Sequence, residues 1–140
     1  MDGYRFSTDL KVRFNETDAQ GVVHNSAYLV WFEIARIDYL ARFPGGYKGL
    51  VEEHSVDVTT IESHVRYRAG CRFDDHLRIW ARTTDRRGAR FRFEYAIERL
   101  TDPAGAVAEG WTAHACVDAK TLKLLRMPVW LAERLAELEL

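Results

Sequence analysis

The stretch from residue 27 to residue 43 constrains the fold most, because it combines helix patterning with almost no polar surface. Asn25 and Ser26 precede it as good N-cap residues, and the run Pro44-Gly45-Gly46 ends it. Its four polar residues are Glu33, Arg36, Asp38 and Arg42. Glu33 and Arg36, three positions apart, are expected to pair on this helix. Since so apolar a helix needs cover, the rest of the chain is expected to wrap around it.

Strand patterns flank this helix on both sides. Residues 4–14 alternate between apolar and polar side chains, which predicts a strand with one buried face. After the helix, turn residues separate five further predicted strands, at 56–68, 76–84, 90–100, 106–118 and 122–126. The apolar phase shifts between Val58 and Ile61, which predicts a β-bulge, and Pro128 is placed at the first position of a final helix through residue 138. This order favours an α+β fold with an antiparallel sheet packed on one helix.

Size and charge exclude several classes of protein. The 140 residues, 47% apolar and 29% charged, suit a single domain spanning 1–140. A net charge of −1 lacks the basic field that nucleic-acid binding requires, so no nucleic-acid partner is expected. No stretch is long and apolar enough for a membrane span, and no membrane partner is expected. Sixteen of the 20 basic residues are Arg, whose planar fork suits phosphates and carboxylates.

The cysteines and histidines indicate neither a disulfide framework nor a metal site. Cys71 and Cys116 are 45 positions apart without metal-binding spacing, which favours two reduced core thiols and a cytoplasmic protein. The five histidines include no close pair and no HExxH motif, so no metal is expected.

The loop from residue 15 to residue 25 carries the residues best suited to catalysis. Asp18 lies ahead of the long helix, and Gly21 permits a positive φ or a close backbone approach. The first turn of a helix also presents N–H groups without intrahelical partners, which favour a developing oxyanion. By physics alone Asp18 is either a structural cap or a catalytic carboxylate.

Residues 12–36 resemble the signature of the 4-hydroxybenzoyl-CoA thioesterase family of hotdog-fold acyl-CoA thioesterases. The matching positions are Val12, Arg13, Phe14, Glu16, Asp18, Gly21, Val22, Val23, Tyr28, Trp31 or Phe32, Glu33, Ala35 and Arg36. The resemblance implies a hotdog fold, in which an antiparallel five- or six-stranded sheet curls around the long helix. It also implies hydrolysis of an acyl-CoA thioester without a cofactor, by a homodimer or homotetramer with active sites between subunits.

The resemblance further assigns roles to individual residues. Asp18 is expected to be the nucleophile or general base, and the backbone N–H near Asn25 is expected to polarise the thioester carbonyl. His24 is a third candidate catalytic residue, although a His at a loop–helix junction is often only structural. Substrate contacts are expected from Gly21, Val23, Tyr28, Arg87 and Arg90, the two arginines binding CoA phosphates. Arg66 and Arg68 are further candidates for the phosphates.

Two other functions remain open from the sequence. The first is a hotdog hydratase or dehydratase of enoyl thioesters, whose Asp and His are differently spaced from Asp18 and His24. The second is a non-catalytic module that binds acyl-CoA or acyl-carrier protein. The acyl group itself is not identified by the sequence.

Overall fold

The computed structural model describes all 140 residues as one antiparallel sheet with three α-helices. The strands are β1 (Phe6–Lys11), β2 (Val56–Tyr67), β3 (His76–Arg87), β4 (Arg90–Arg99) and β5 (Gly105–Asp118). The helices are α1 (Ala27–Leu40), α2 (Gly46–Glu52) and α3 (Val129–Leu138), and a single 3-10 turn, η1, covers Phe14–Glu16. The strand order is β1-β3-β4-β5-β2, and every neighbouring pair is antiparallel. The predicted α+β class is confirmed.

The sheet has five strands because the segment 122–126 does not form a sixth. Only Leu124 of this segment makes a β-bridge, to Val117 at the end of β5. Leu122 has a φ of +62°, which interrupts the extended backbone that a strand needs. The prediction of a strand over 122–126 is therefore wrong, and the segment connects β5 to α3.

Several element boundaries also differ from the predictions. The first strand ends at Lys11, and the chain then turns into η1. Helix α2 lies in the glycine-rich stretch after Pro44, for which the sequence predicts no helix, and Pro128 is the N-cap of α3 rather than its first residue. The β-bulge is confirmed, since the β2–β5 register shifts between Thr60 and Glu62.

Helix α1 packs across one face of the sheet. Trp31, Phe32, Ala35 and Tyr39 are fully buried, and the Phe32 ring stacks on that of Tyr95 from β4, with centroids 4.2 Å apart. The opposite face of α1 is open in the single chain, where Leu29, Val30 and Ile37 are 41%, 47% and 38% exposed. The sheet therefore covers only part of the helix.

Gly110 in β5 allows this close packing. A Cβ atom at Gly110 would collide with the His64 carbonyl oxygen and would lie 2.8 Å from Phe32 Cε2. Both approaches are far closer than van der Waals contact, so no larger residue fits without moving β2 or α1.

A chain of polar side chains crosses the core beneath α1. Arg36 donates to the Tyr95 hydroxyl at 3.1 Å, Tyr95 and Thr112 share a 2.7 Å hydrogen bond, and Thr112 lies 2.6 Å from His114 Nε2. Arg36 therefore bonds Tyr95 rather than forming the expected pair with Glu33. Burial keeps His114 neutral and lowers its pKa to about 3.

Helix α3 packs beside the C-terminal end of α1. Leu131 and Leu135 are buried, and the Glu139 carboxylate accepts hydrogen bonds from the Tyr39 hydroxyl and, at 3.0 Å, from the Thr83 N–H. None of the helices has the length and apolar character needed to cross a bilayer.

Candidate active site

A buried carboxylate fixes the candidate loop to α1. Glu16, at the end of η1, accepts hydrogen bonds from the Arg13 backbone N–H at 2.8 Å, Arg13 Nη2 at 3.1 Å and Trp31 Nε1 at 2.7 Å. Burial raises the pKa of the Glu16 carboxyl, but these hydrogen bonds outweigh burial and lower it overall. Glu16 is therefore an ionised anchor that sets where the following loop meets the helix.

Asp18 closes a tight turn with one of its two carboxylate oxygens. Its Oδ1 accepts the N–H of Gln20 at 2.8 Å and that of Val22 at 3.1 Å, whereas Oδ2 has no hydrogen-bond or ion-pair partner in the chain. The Val22 and Gln20 N–H groups hold the pKa of the Asp18 carboxyl below its usual value. Gly21 has a φ of +79°, so the turn requires its conformational freedom. Asp18 is thus ionised, with one oxygen available for chemistry.

The start of α1 is uncapped. Ser26 is already in the right-handed helical conformation, and neither it nor Asn25 caps the helix through its side chain. The backbone N–H groups of Asn25, Ser26 and Tyr28 donate no hydrogen bond within the chain. Ser26 is thus the N-cap residue, as predicted, but without the side-chain hydrogen bond of a cap, and the free donors can stabilise an anion.

His24 lies between the Asp18 turn and the helix. Its backbone N–H donates to the Glu16 carbonyl at 2.9 Å, and its exposed imidazole makes no side-chain hydrogen bond. His24 borders a cavity of about 250 Å³ that does not include Asp18, lined by Arg13, Asn15, Glu16, His24, Ser26, Ala27 and Val30. His24 is therefore placed at an open space beside the helix start.

Two predicted substrate contacts are part of the core. Val23 and Tyr28 are buried, and the Tyr28 ring packs between those of Trp31 and Tyr67, at centroid distances of 4.8 and 5.0 Å. In the single chain both side chains pack in the core, and direct substrate contact by either stays a prediction.

The arginines predicted to bind CoA lie at two places in the fold, the β3–β4 hairpin and the end of β2. Arg87 and Arg90 pair across the β3–β4 hairpin, at the far end of β3 from His76. Arg87 is eleven positions after His76 along β3, about 36 Å in a fully extended strand. His76 pairs with Lys11, shortly before the Asp18 loop, so Arg87 and Arg90 lie at the end of the sheet away from that loop.

Sequence reasoning missed Arg72, a basic residue that lies beside the Asp18 turn. A Cβ at Gly21 would be 3.6 Å from Arg72 Nη1, and Arg72 pairs with Val22 in an isolated bridge. The end of β2 also reaches the helix start, because the Tyr67 hydroxyl donates to the Asn25 carbonyl at 3.1 Å. Neighbouring residues of a strand point to opposite faces, so Arg66 lies on the other face of the sheet, where it lines a pocket with Tyr4 and Trp111. Arg68, just past the strand, pairs with Glu109 at 2.5 Å. No local pattern marks these contacts, since each joins residues about 40 to 50 positions apart.

The candidate site consists of an ionised carboxylate, the free N–H groups at the helix start and the Arg72 guanidinium beside Gly21. A carboxylate of this kind can attack a carbonyl carbon or deprotonate water, and the N–H groups can hold the resulting oxyanion. No group of three or more Cys, His, Asp and Glu side chains in the chain is placed to hold a metal ion.

Comparison with known proteins agrees with this chemistry. A family model described as the thioesterase-like superfamily matches residues 12–135. The chain is 29% identical over 123 residues to the acyl-CoA thioesterase YbgC of Haemophilus influenzae, covering 88% of each protein. It is 31% identical over 125 residues to the 1,4-dihydroxy-2-naphthoyl-CoA hydrolase of a Synechococcus species, covering 84% of this chain and 80% of that protein. A crystal structure of a hypothetical protein from Thermus thermophilus is 33% identical, with a TM-score of 0.82 over 96% of this chain and 98% of that one.

Proposed function

Because this chain belongs to the thioesterase-like superfamily, we infer that it hydrolyses the thioester bond of an acyl-CoA, releasing a carboxylic acid and free CoA. The relatives named as acyl-CoA thioesterases cover most of the chain, which supports the same reaction. The observation that supports the site is the position of Asp18, ionised and with a free Oδ2, in the loop that leads to the uncapped start of α1.

The proposed mechanism places the thioester carbonyl oxygen at the Asn25 N–H. Negative charge develops on this oxygen in the tetrahedral intermediate, and the adjacent Ser26 N–H and the helix dipole favour it further. Oδ2 of Asp18 either attacks the carbonyl carbon, giving an anhydride that water then cleaves, or takes a proton from the water that attacks. In both routes the CoA thiolate leaves and is protonated, one water is consumed, and Asp18 is regenerated as a carboxylate.

Residues around the Asp18 turn act as positioning residues in this proposal. Glu16 and Gly21 set the turn, while Val23 and Tyr28 hold its far side and the helix start in the core. His24, which lines the cavity at the helix start, contributes to substrate binding.

We place the CoA phosphates on arginines of two chains. Arg72, beside Gly21, is the arginine of the same chain, whereas Arg87 and Arg90 serve an Asp18 site from a partner subunit. Arg66 and Arg68, at the end of β2, are further candidates. The assembly is accordingly a homodimer or a homotetramer. The outer edge of β2 is free for twelve residues, and such an edge is suited to pairing with a second copy.

We also place the protein in the cytoplasm, where acyl-CoA occurs and thiols stay reduced. Cys71 and Cys116 are both free and buried, as expected from their spacing.

Release of free thiol from a panel of aliphatic and aromatic acyl-CoAs tests the function. We expect steady turnover of at least one acyl class without added metal or cofactor. Tight binding of acyl-CoA with no thiol release from any member of the panel would instead indicate a binding module.

A further inference from the structure

A second cavity lies at the opposite end of α1 from the candidate active site. It has a volume of about 640 Å³, which is within the range of small-molecule sites, roughly 300 to 1,000 Å³. The lining residues come from α2, α3 and the turns that follow α1 and α2: Arg42, Phe43, Pro44, Leu50, His54, Trp130 and Arg134. Fifteen residues separate Ala27 from Arg42, so the cavity is about 22 Å along the helix from the Asp18 end of the same chain.

The walls of this cavity are mostly apolar. Phe43 and Leu50 are buried core residues that form its inner side, and Pro44 borders it. The Trp130 indole is at the rim, 40% exposed, with the His54 ring packed against it at a centroid distance of 4.6 Å. An exposed indole beside an apolar cavity provides a flat surface for an apolar or aromatic group.

Two guanidinium groups supply the polar side of the cavity. The guanidinium of Arg42 lies over the rings of Phe6 and Tyr39, at 4.4 and 4.1 Å, and has no carboxylate within ion-pair distance. Its only hydrogen bond is from Nε to the Tyr39 carbonyl, and its Nη2 is buried without a partner.

Arg134 adds a second positive charge beside Arg42. Its Nη2 donates to the Arg42 carbonyl at 3.4 Å, and its Nη1 pairs with Glu137 in an exposed salt bridge of the kind that contributes little stability. Since an arginine has five N–H donors, most of the donors of the two guanidinium groups have no partner in the chain.

We propose that this cavity binds a medium-chain or aromatic carboxylic acid in its anionic form. The carboxylate would accept hydrogen bonds at the Arg134 side, and the apolar body would lie against Leu50, Phe43 and Trp130. A neutral apolar ligand would leave the cationic rim uncompensated, and a small inorganic anion would leave the apolar walls uncovered. The charge and the apolar walls together select an amphipathic anion, independently of the reaction at Asp18.

Calorimetric titration with octanoate and with 1-octanol tests the proposal on the full chain. We expect saturable binding of octanoate, at least tenfold tighter than binding of 1-octanol, because only the anion forms charge-assisted hydrogen bonds. The Arg134→Gln variant should weaken octanoate binding about tenfold. Arg126→Gln, which removes an exposed positive charge outside the cavity, should leave the affinity within about twofold of wild type.

Fluorescence of Trp130 provides a second readout that does not depend on enzyme activity. Octanoate should change the emission of the wild-type chain, and W130F should lose that change while still unfolding cooperatively. Equal affinities for octanoate and 1-octanol, or an unchanged affinity in Arg134→Gln, would overturn the proposal. Absence of octanoate binding would also overturn it. Trp130 emission that depended on protein concentration would then indicate that a second copy of the chain covers the cavity.

Discussion

Trp31 Nε1 donates a 2.7 Å hydrogen bond to Glu16 Oε2, and this bond joins the second turn of α1 to the loop that carries Asp18. Both partners are buried, so the bond is shielded from water. The position of Asp18 relative to the helix start is therefore set by a contact between residues 15 positions apart.

Replacing Glu16 tests this anchor. Glu16→Ala leaves the buried Trp31 N–H without an acceptor, and we expect it to lower the free energy of unfolding by about 2 kcal/mol. Urea denaturation measures the change. Glu62→Ala, at an exposed position without hydrogen-bond partners, is the control and should differ from wild type by less than about 0.5 kcal/mol. Equal stabilities for the two variants would show that the anchor contributes nothing.

Asp18→Asn should abolish thioester hydrolysis while leaving the fold intact. The chain offers a matched control in Asp118, whose Oδ1 also accepts two backbone N–H groups, at 2.9 and 3.0 Å, and whose pKa is likewise lowered by Thr121 and Lys120. We expect kcat to fall by about 1,000-fold or more in Asp18→Asn and to stay near wild type in Asp118→Asn. Comparable turnover in the two variants would remove Asp18 from the mechanism.

The pH dependence of stability should report His114. Its pKa is about 3 in the folded protein and 6.5 in the unfolded reference, so between these values the unfolded chain binds more protons. Stability should therefore fall as the pH decreases below 6.5, by up to about 1.4 kcal/mol per pH unit. Urea denaturation between about pH 7 and pH 5 measures the slope. His114→Gln should flatten it, whereas His76→Gln, at an exposed position, should not.

Gly110 and Gly88 distinguish steric crowding from backbone strain. Gly110→Ala places a methyl group against the His64 carbonyl and Phe32, and should cost about 3 kcal/mol. At Gly88 an added methyl group would meet nothing within 4 Å, but φ is +57°, so Gly88→Ala should cost about 1 kcal/mol. Thermal denaturation of the two variants gives the comparison. A smaller loss at Gly110 would mean that β2 and α1 separate more easily than their packing indicates.

Mixing of two chains with different defects, assayed at an acyl-CoA concentration well below the raised KM, tests whether Arg87 and Arg90 serve the Asp18 of a partner. Asp18→Asn should lose kcat, and a chain with Arg87→Gln and Arg90→Gln should show a raised KM for acyl-CoA. After the two chains are refolded together, each mixed dimer should contain one intact site, so about one quarter of wild-type sites should return.

A chain carrying all three substitutions is the control for this mixing experiment. Mixed with Asp18→Asn, it forms no intact site and should give no recovery. If the first mixture also fails to recover activity, the arginines do not act across subunits.

Much of the fold could be predicted because its largest elements have strong local patterns. The apolar run before Pro44 predicted α1, and the phase shift near Ile61 predicted the bulge in β2. The residue 12–36 motif predicted the family, which the match over residues 12–135 confirms. Helix α2 was missed because Gly45, Gly46 and Gly49 indicate a loop locally, whereas packing of Leu50 into the core stabilises the helix.

The candidate site was harder to predict because its parts meet through tertiary contacts. The Glu16 to Trp31 bond, the Tyr67 to Asn25 bond and the place of Arg72 beside Gly21 have no signature in the local sequence. The distance between Arg87 and Asp18 likewise depends on strand direction within the sheet, which spacing along the chain does not reveal.

The uncapped start of α1 has a consequence for attempts to make this enzyme more heat-resistant. Remodelling the helix start so that a side chain at position 25 or 26 bonds its free N–H groups is a standard stabilising change. In the proposed mechanism such a bond would occupy the N–H groups that hold the thioester oxygen, so the more stable protein is expected to be the slower catalyst. Thermostable versions are better sought at α3 and the outer sheet face, where added stability does not compete with turnover.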